Sequence, residues 1–86
     1  MQVVYERCCG LDVHKDTVAA CIAITEGGRV YRDKRVFGTT TKDLLELSDW
    51  LAEHSITHVG MESTGVYWKP IWNILEGQFE IGRAHV

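Results

Sequence analysis

Short links between the first three strand-like segments constrain the fold of this chain more than any other feature of its sequence. The segments are an apolar run over residues 3–13, a run rich in β-branched residues over 17–24, and an alternating run over 29–37. Gly27 and Gly28 lie in the second link, and paired glycines supply the positive φ that a tight hairpin needs. We therefore predict an antiparallel meander whose charged third strand forms a protected edge.

The hydrophobic period changes to that of a helix after the third segment. Thr40 and Asp43 have the form of a capping box at a helix start. An apolar stripe follows at helical spacing: Leu44, Leu45, Leu47 and Leu51. A fourth strand is predicted over residues 56–62, a second helix from Pro70 until Gly77 ends it, and a fifth strand from Phe79.

This element order predicts an α/β fold with a mixed sheet flanked by helices. If the fourth strand lies beside the first and parallel to it, the strand order is 3-2-1-4-5. That order resembles the ribonuclease H-like arrangement.

Asp12 and Glu62 each end an apolar strand, and ligands of open α/β sheets gather beyond such carboxyl ends. Adjacent strands would bring the two backbones within ~5 Å. Carboxylates this close repel each other, and a divalent cation with a preference for hard oxygen ligands, Mg²⁺ or Mn²⁺, relieves the conflict. The spacing alone fits solvated strand-end acids equally well.

Three blocks of sequence resemble one family: residues 10–15, Phe37 with residues 39–41, and residues 60–68. They are similar to the N-terminal RuvC-like catalytic domain of DEDD-type insertion-sequence transposases, the IS-one-ten group. The resemblance implies that four acids, in the order Asp, Glu, Asp, Asp, bind catalytic Mg²⁺ or Mn²⁺. Asp12 matches the first acid and Glu62 matches the second, so both are expected to be catalytic metal ligands.

The same resemblance implies a DNA recombinase that acts on DNA phosphodiesters in transposition. It further implies a structured guide RNA, a homo-oligomeric intact protein, and a C-terminal domain with a nucleophilic serine. The last two acids and the serine domain fall outside this chain. We therefore expect a fragment, truncated after the second helix, that is inactive by itself.

Residues beside the two acids are candidates for contacts with nucleic acid: His14, Lys15, Ser63, Thr64 and Gly65. Hydroxyl groups, positively charged groups and accessible backbone N–H groups can donate hydrogen bonds to phosphate oxygens. Ordinary polar turns explain these residues nearly as well. Three aromatic residues near the second helix are assigned to the core rather than to base stacking: Tyr67, Trp68 and Trp72.

Residues 80–86 resemble the translation of a common short-read sequencing adapter. We therefore predict a native partial catalytic domain over residues 1–79, followed by a non-native tail. The alternative is a genuine fifth strand, since Phe79 and Ile81 alternate acceptably.

Composition excludes several classes of protein. A net charge of −3 excludes a basic arm that coats nucleic acid. The longest apolar stretch, residues 18–24, is too short to span a bilayer, which favours the cytoplasm. The cysteines lack the spacing of a zinc or redox motif and are expected to be buried, reduced thiols: Cys8, Cys9 and Cys21.

Two other functions remain open. A sugar-kinase or actin-like nucleotide-binding domain has the same element order, but its phosphate loop needs glycine where this chain has His14. A non-catalytic interaction module would need neither Asp12 nor Glu62.

Overall fold

The computed structural model describes residues 5–84, which form a five-stranded sheet with the order β3-β2-β1-β4-β5. The elements are β1 Arg7–Val13, β2 Val18–Glu26, β3 Arg29–Phe37, α1 Thr41–Glu53, β4 His58–Ser63, α2 Trp68–Leu75 and β5 Glu80–Ala84. The predicted mixed sheet and its strand order are therefore confirmed. The predicted beginning of the first strand near Val3 lies outside the described residues.

The first three strands form the expected meander. β1 pairs antiparallel with β2, and β2 pairs antiparallel with β3. Gly27 and Gly28 have φ values of 57° and 79°, so the hairpin uses the left-handed conformation that glycine adopts without steric penalty. Only Phe37 is buried along β3, which is what a charged edge strand requires.

Helix α1 begins where the sequence predicts. The Thr40 side chain accepts a hydrogen bond from the Asp43 backbone N–H at 3.1 Å and so caps the first turn. Leu44, Leu47 and Leu51 are buried, but Leu45 is 52% exposed. The expectation that Leu45 widens the buried stripe is wrong, because the sheet covers a narrower sector of the helix than the leucines span.

Helix α2 begins at Trp68, two residues before the predicted start at Pro70. Proline is tolerated there because backbone N–H groups of the first helical turn have no partner within the helix. The helix ends at the predicted place, before Gly77 with a φ of 87°. No helix among residues 5–84 is both long and apolar enough to cross a membrane.

The core lies on one face of the sheet. Alternate residues of β1, β2 and β4 are buried, and α1 and α2 contact each other over that face. The opposite face carries the exposed alternate residues and has no helix over it among residues 5–84. Glu80–Ala84, in the segment assigned by sequence to a non-native tail, pairs parallel with β4 as β5. The origin of that segment stays a prediction.

Candidate functional site

Asp12 and Glu62 are register partners across the parallel strands β1 and β4. Hydrogen-bonded neighbouring strands lie ~4.8 Å apart, so the two backbones have the separation that the sequence argument required. Each acid is the second-to-last residue of its strand. The two acids therefore meet at the carboxyl edge of the central strands.

Both acids lie on the uncovered face of the sheet. Leu11, Val13 and Met61 beside them are almost fully buried against the helices, whereas Asp12 and Glu62 are exposed. This follows from the strand period of two, because side chains on either side of a buried residue point to the opposite face. The two carboxylates are accordingly open to a ligand from solvent.

A shallow cavity of about 510 Å³ lies over the uncovered face beside the acids. Glycines from three adjacent strands form one cross-strand row in it: Gly10, Gly60 and Gly82. A Cβ atom added at any of them would meet no heavy atom within 4 Å, so the row leaves open space above the backbone. The cavity has room for a group larger than a single ion.

His14 lies against the first acid. Its Nε2 is 3.2 Å from Asp12 Oδ2, and the side chains are 60% and 64% exposed. The His14 backbone N–H donates to the Thr17 carbonyl at 2.9 Å, which closes the turn between β1 and β2. Of the predicted nucleic-acid contacts, His14 is thus the one in direct contact with an acid.

Lys15 is exposed on the same turn. Its carbonyl accepts a hydrogen bond from the Thr39 hydroxyl at 3.2 Å, which ties the turn to the segment before α1. Sequence reasoning did not assign this role to Thr39. The run of three threonines at residues 39–41 was the only sequence feature that pointed to this position. Thr39 and Thr40 have different roles in it, since Thr39 bonds the turn and Thr40 caps α1.

The residues after the second acid form a tight turn. Ser63 ends β4 instead of beginning a loop, and its hydroxyl donates to the Thr64 carbonyl at 3.2 Å. Thr64 is exposed. Gly65 has a φ of 58°, a left-handed backbone conformation that glycine adopts more readily than other residues, which accounts for a glycine at this position. These three residues lie at the same sheet edge as Glu62.

The aromatic residues after this turn divide into two groups. Trp68 and Trp72 are half-buried, pack against the core and meet edge to face with ring centroids 5.8 Å apart. Tyr67 is 41% exposed, and Val66 beside it is 61% exposed. The assignment of Tyr67 to the core is therefore wrong, because Tyr67 precedes the first turn of α2 and lies off its buried face.

The three cysteines also differ in environment. Cys9 is buried, and this burial raises its pKa to about 12. Cys8 is half-buried and Cys21 is exposed. The expectation that all three are buried is wrong, because Cys8 and Cys21 fall on the uncovered face.

The two acids would by themselves provide only part of a metal coordination sphere. Within residues 5–84, no three His, Cys, Asp or Glu residues form a group that can hold one ion. Mg²⁺ needs octahedral oxygen coordination but keeps several waters and is usually held by one or two carboxylates. The donor chemistry of Asp12 and Glu62 thus fits a hard divalent cation, with further ligands from water, substrate or other protein groups.

Solved structures share this fold. The chain is similar to RuvC from Thermus thermophilus, with a TM-score of 0.65 and 12% identity over 91% of this chain and 63% of that one. It is also similar to the Ppx/GppA family member from Aquifex aeolicus, with a TM-score of 0.55 and 11% identity over 91% and 34% of the two chains. A further Aquifex aeolicus PPX-GPPA enzyme structure gives a TM-score of 0.51 and 12% identity over 91% and 35%.

These similarities concern the fold, and the chain spans less than two thirds of each of those solved chains. No curated protein matches its sequence. The family model of the DEDD transposases designated IS110 matches residues 9–81, a range that contains both Asp12 and Glu62. The chain therefore belongs to the IS110 family of DEDD transposases, and it adopts a RuvC-like fold.

Proposed function

We propose that this chain is the N-terminal part of the catalytic domain of a metal-dependent, RNA-guided DNA transposase. The observation that carries the proposal is the placement of Asp12 directly opposite Glu62 on the uncovered face. Membership of a transposase family supports DNA phosphodiesters as the substrate class. A structured guide RNA and a homo-oligomeric intact protein are proposed on the family resemblance.

Asp12 and Glu62 would hold Mg²⁺ or Mn²⁺. When bound, such an ion stabilises the charge that develops on the oxygens of a phosphodiester under attack. The carboxylates supply hard oxygen donors, and the open space above Gly10 and Gly60 beside them leaves a path for a DNA strand to approach. The protein's part is to hold both acids on two paired strands, where backbone hydrogen bonds set the separation of the two backbones.

We propose nucleic-acid contacts for the residues that flank the acids: His14, Lys15, Ser63, Thr64 and Gly65. Lys15 and Thr64 are exposed at the same edge as the acids, and the turn at Gly65 leaves its backbone open. Phosphate contacts of this kind position DNA without selecting its sequence.

We propose a domain limit at residue 79, with the remaining two acids and a serine-bearing domain in the intact parent protein. This chain alone is then inactive. The nucleotides that follow the Phe79 codon in the parent genome test this directly. Two further aspartates after another strand are expected, and their absence there would contradict the proposed domain organisation.

The role of the acids is tested in the intact parent. Asp12→Ala and Glu62→Ala are each expected to abolish transposition while expression and folding stay unchanged. Glu46→Ala, at an exposed acid of α1, is the matched control and should transpose normally. Wild-type transposition in the Asp12 or Glu62 variant would refute the catalytic assignment.

Titration with labelled ATP tests the nucleotide-binding alternative. We expect no micromolar binding, because the His14 side chain stands where a phosphate loop needs the open backbone of glycine. Micromolar binding would support that alternative. A non-catalytic module would instead tolerate simultaneous replacement of both acids without any measurable change.

A further inference from the structure

We propose that His14 is a positioning residue for Asp12, which orients the Asp12 carboxylate toward a divalent cation. The inference rests on the proposed function. It gives His14 a role separate from contact with nucleic acid. The structural observation behind it is the 3.2 Å distance between His14 Nε2 and Asp12 Oδ2.

The direction of this contact follows from its chemistry. An ionised carboxylate only accepts hydrogen bonds, so the favourable partner at Oδ2 is an N–H on His14 Nε2. Oδ1 of Asp12 stays outside this contact and is available to an ion. The second ring nitrogen, Nδ1, is likewise outside this contact.

The turn around His14 is ordered by backbone contacts that do not involve the ring. The His14 N–H donates to the Thr17 carbonyl, and Thr39 donates to the Lys15 carbonyl. These bonds hold the turn against β2 and against the segment before α1. The imidazole therefore reaches Asp12 from a backbone that is held in place independently of the ring.

The contact between His14 and Asp12 contributes little to the free energy of unfolding. Both side chains are more than half exposed, and exposed pairs of this kind contribute only ~0–1 kcal/mol to stability. Partners that orient a metal-ligating carboxylate have a larger effect on the metal, since their loss typically weakens metal binding roughly 10–100-fold. A positioning role and a structural role thus predict opposite patterns of change in affinity and stability.

The test is a titration of this chain with Mn²⁺, followed by the paramagnetic resonance signal of the free ion. His14→Ala is expected to raise the Mn²⁺ dissociation constant about 10-fold or more. His14→Gln, whose amide N–H can take the place of the Nε2 donor, is expected to restore most of the affinity. Circular dichroism and thermal unfolding should be unchanged in both variants.

His58→Ala is the matched control, because His58 lies on β4 at the opposite end of its pairing with β1. Equal Mn²⁺ affinity of His14→Ala and wild type, with weaker binding in Asp12→Asn and Glu62→Gln, would overturn the inference and leave the proposed function standing. Failure of His14→Gln to restore affinity would also overturn it. If wild type does not bind Mn²⁺, or if Asp12→Asn and Glu62→Gln leave Mn²⁺ binding unaffected, both the inference and the proposed function are overturned.

Discussion

Asp12 on β1 faces Glu62 on β4 at a single register position, so two groups of the same charge are neighbours across the sheet. Backbone pairing fixes the proximity of the two residues. Like charges at directly opposite positions destabilise a sheet. Repulsion between the two carboxylates is therefore expected to cost the chain some stability.

Removal of one charge should stabilise the chain in the absence of metal. Glu62→Gln is expected to raise the free energy of unfolding by a few tenths of a kcal/mol, the lower end of the ~0.2–1 kcal/mol range for cross-strand pairs, because both acids are exposed. Urea denaturation at low ionic strength measures this. The gain should shrink in high salt, and Glu46→Gln on α1 should show none. A loss of stability in Glu62→Gln would contradict the repulsion.

Two leucines of α1 should respond in opposite ways to truncation. Leu47 is fully buried, so Leu47→Ala is expected to lower the free energy of unfolding by ~2–5 kcal/mol. Leu45 is 52% exposed, so Leu45→Ala should change it by no more than ~0.5 kcal/mol. Chemical denaturation of both variants measures the difference. Similar losses in the two variants would show that the helix packs with a different face.

The cap at Thr40 should contribute measurably to stability. Thr40→Ala removes the acceptor for the Asp43 N–H and is expected to lower the free energy of unfolding by ~1 kcal/mol. Thr40→Ser keeps the hydroxyl and should stay close to wild type, which separates the cap from other effects at this position. Equal losses in the alanine and serine variants would contradict the capping role.

Alkylation should distinguish the exposed cysteine from the buried one. At neutral pH, iodoacetamide is expected to modify Cys21 in the folded chain and to reach Cys9 only after unfolding. Mass spectrometry of peptides from timed samples follows both sites. Cys21→Ser should abolish the early modification. Early labelling of Cys9 would show that the core opens on the time scale of the reaction.

Stability should fall at alkaline pH because of Cys9. Its pKa is raised from 9.0 to about 12, chiefly by burial, so the unfolded chain loses the thiol proton first. The contribution of this group is present below pH 9.0 and is lost as the pH rises toward about 12. Denaturation series at pH 8 and above should show a smaller decline in Cys9→Ala than in wild type. An identical decline would contradict the raised pKa.

Features that depend on local chemistry were predictable from the sequence. Gly27 and Gly28 specified a hairpin, and Thr40 marked the start of a helix, because turn and cap preferences act over a few residues. Leu45, Tyr67 and Cys21 were assigned wrongly. Each assignment depended on which face of the helix or strand is covered by a neighbouring element. A hydrophobic pattern in the sequence does not contain that information.

The candidate site divides in the same way. Sequence by itself determined that Asp12 and Glu62 each stand at the end of a strand, because the alternation of apolar residues around each acid is a local property. Only the tertiary structure decided that they share one register position on the uncovered face. For β4 to pair with β1, α1 must carry the chain from the edge strand β3 to the far side of β1 and pack its leucines onto the sheet, and these long-range contacts bring Asp12 and Glu62 to one register position.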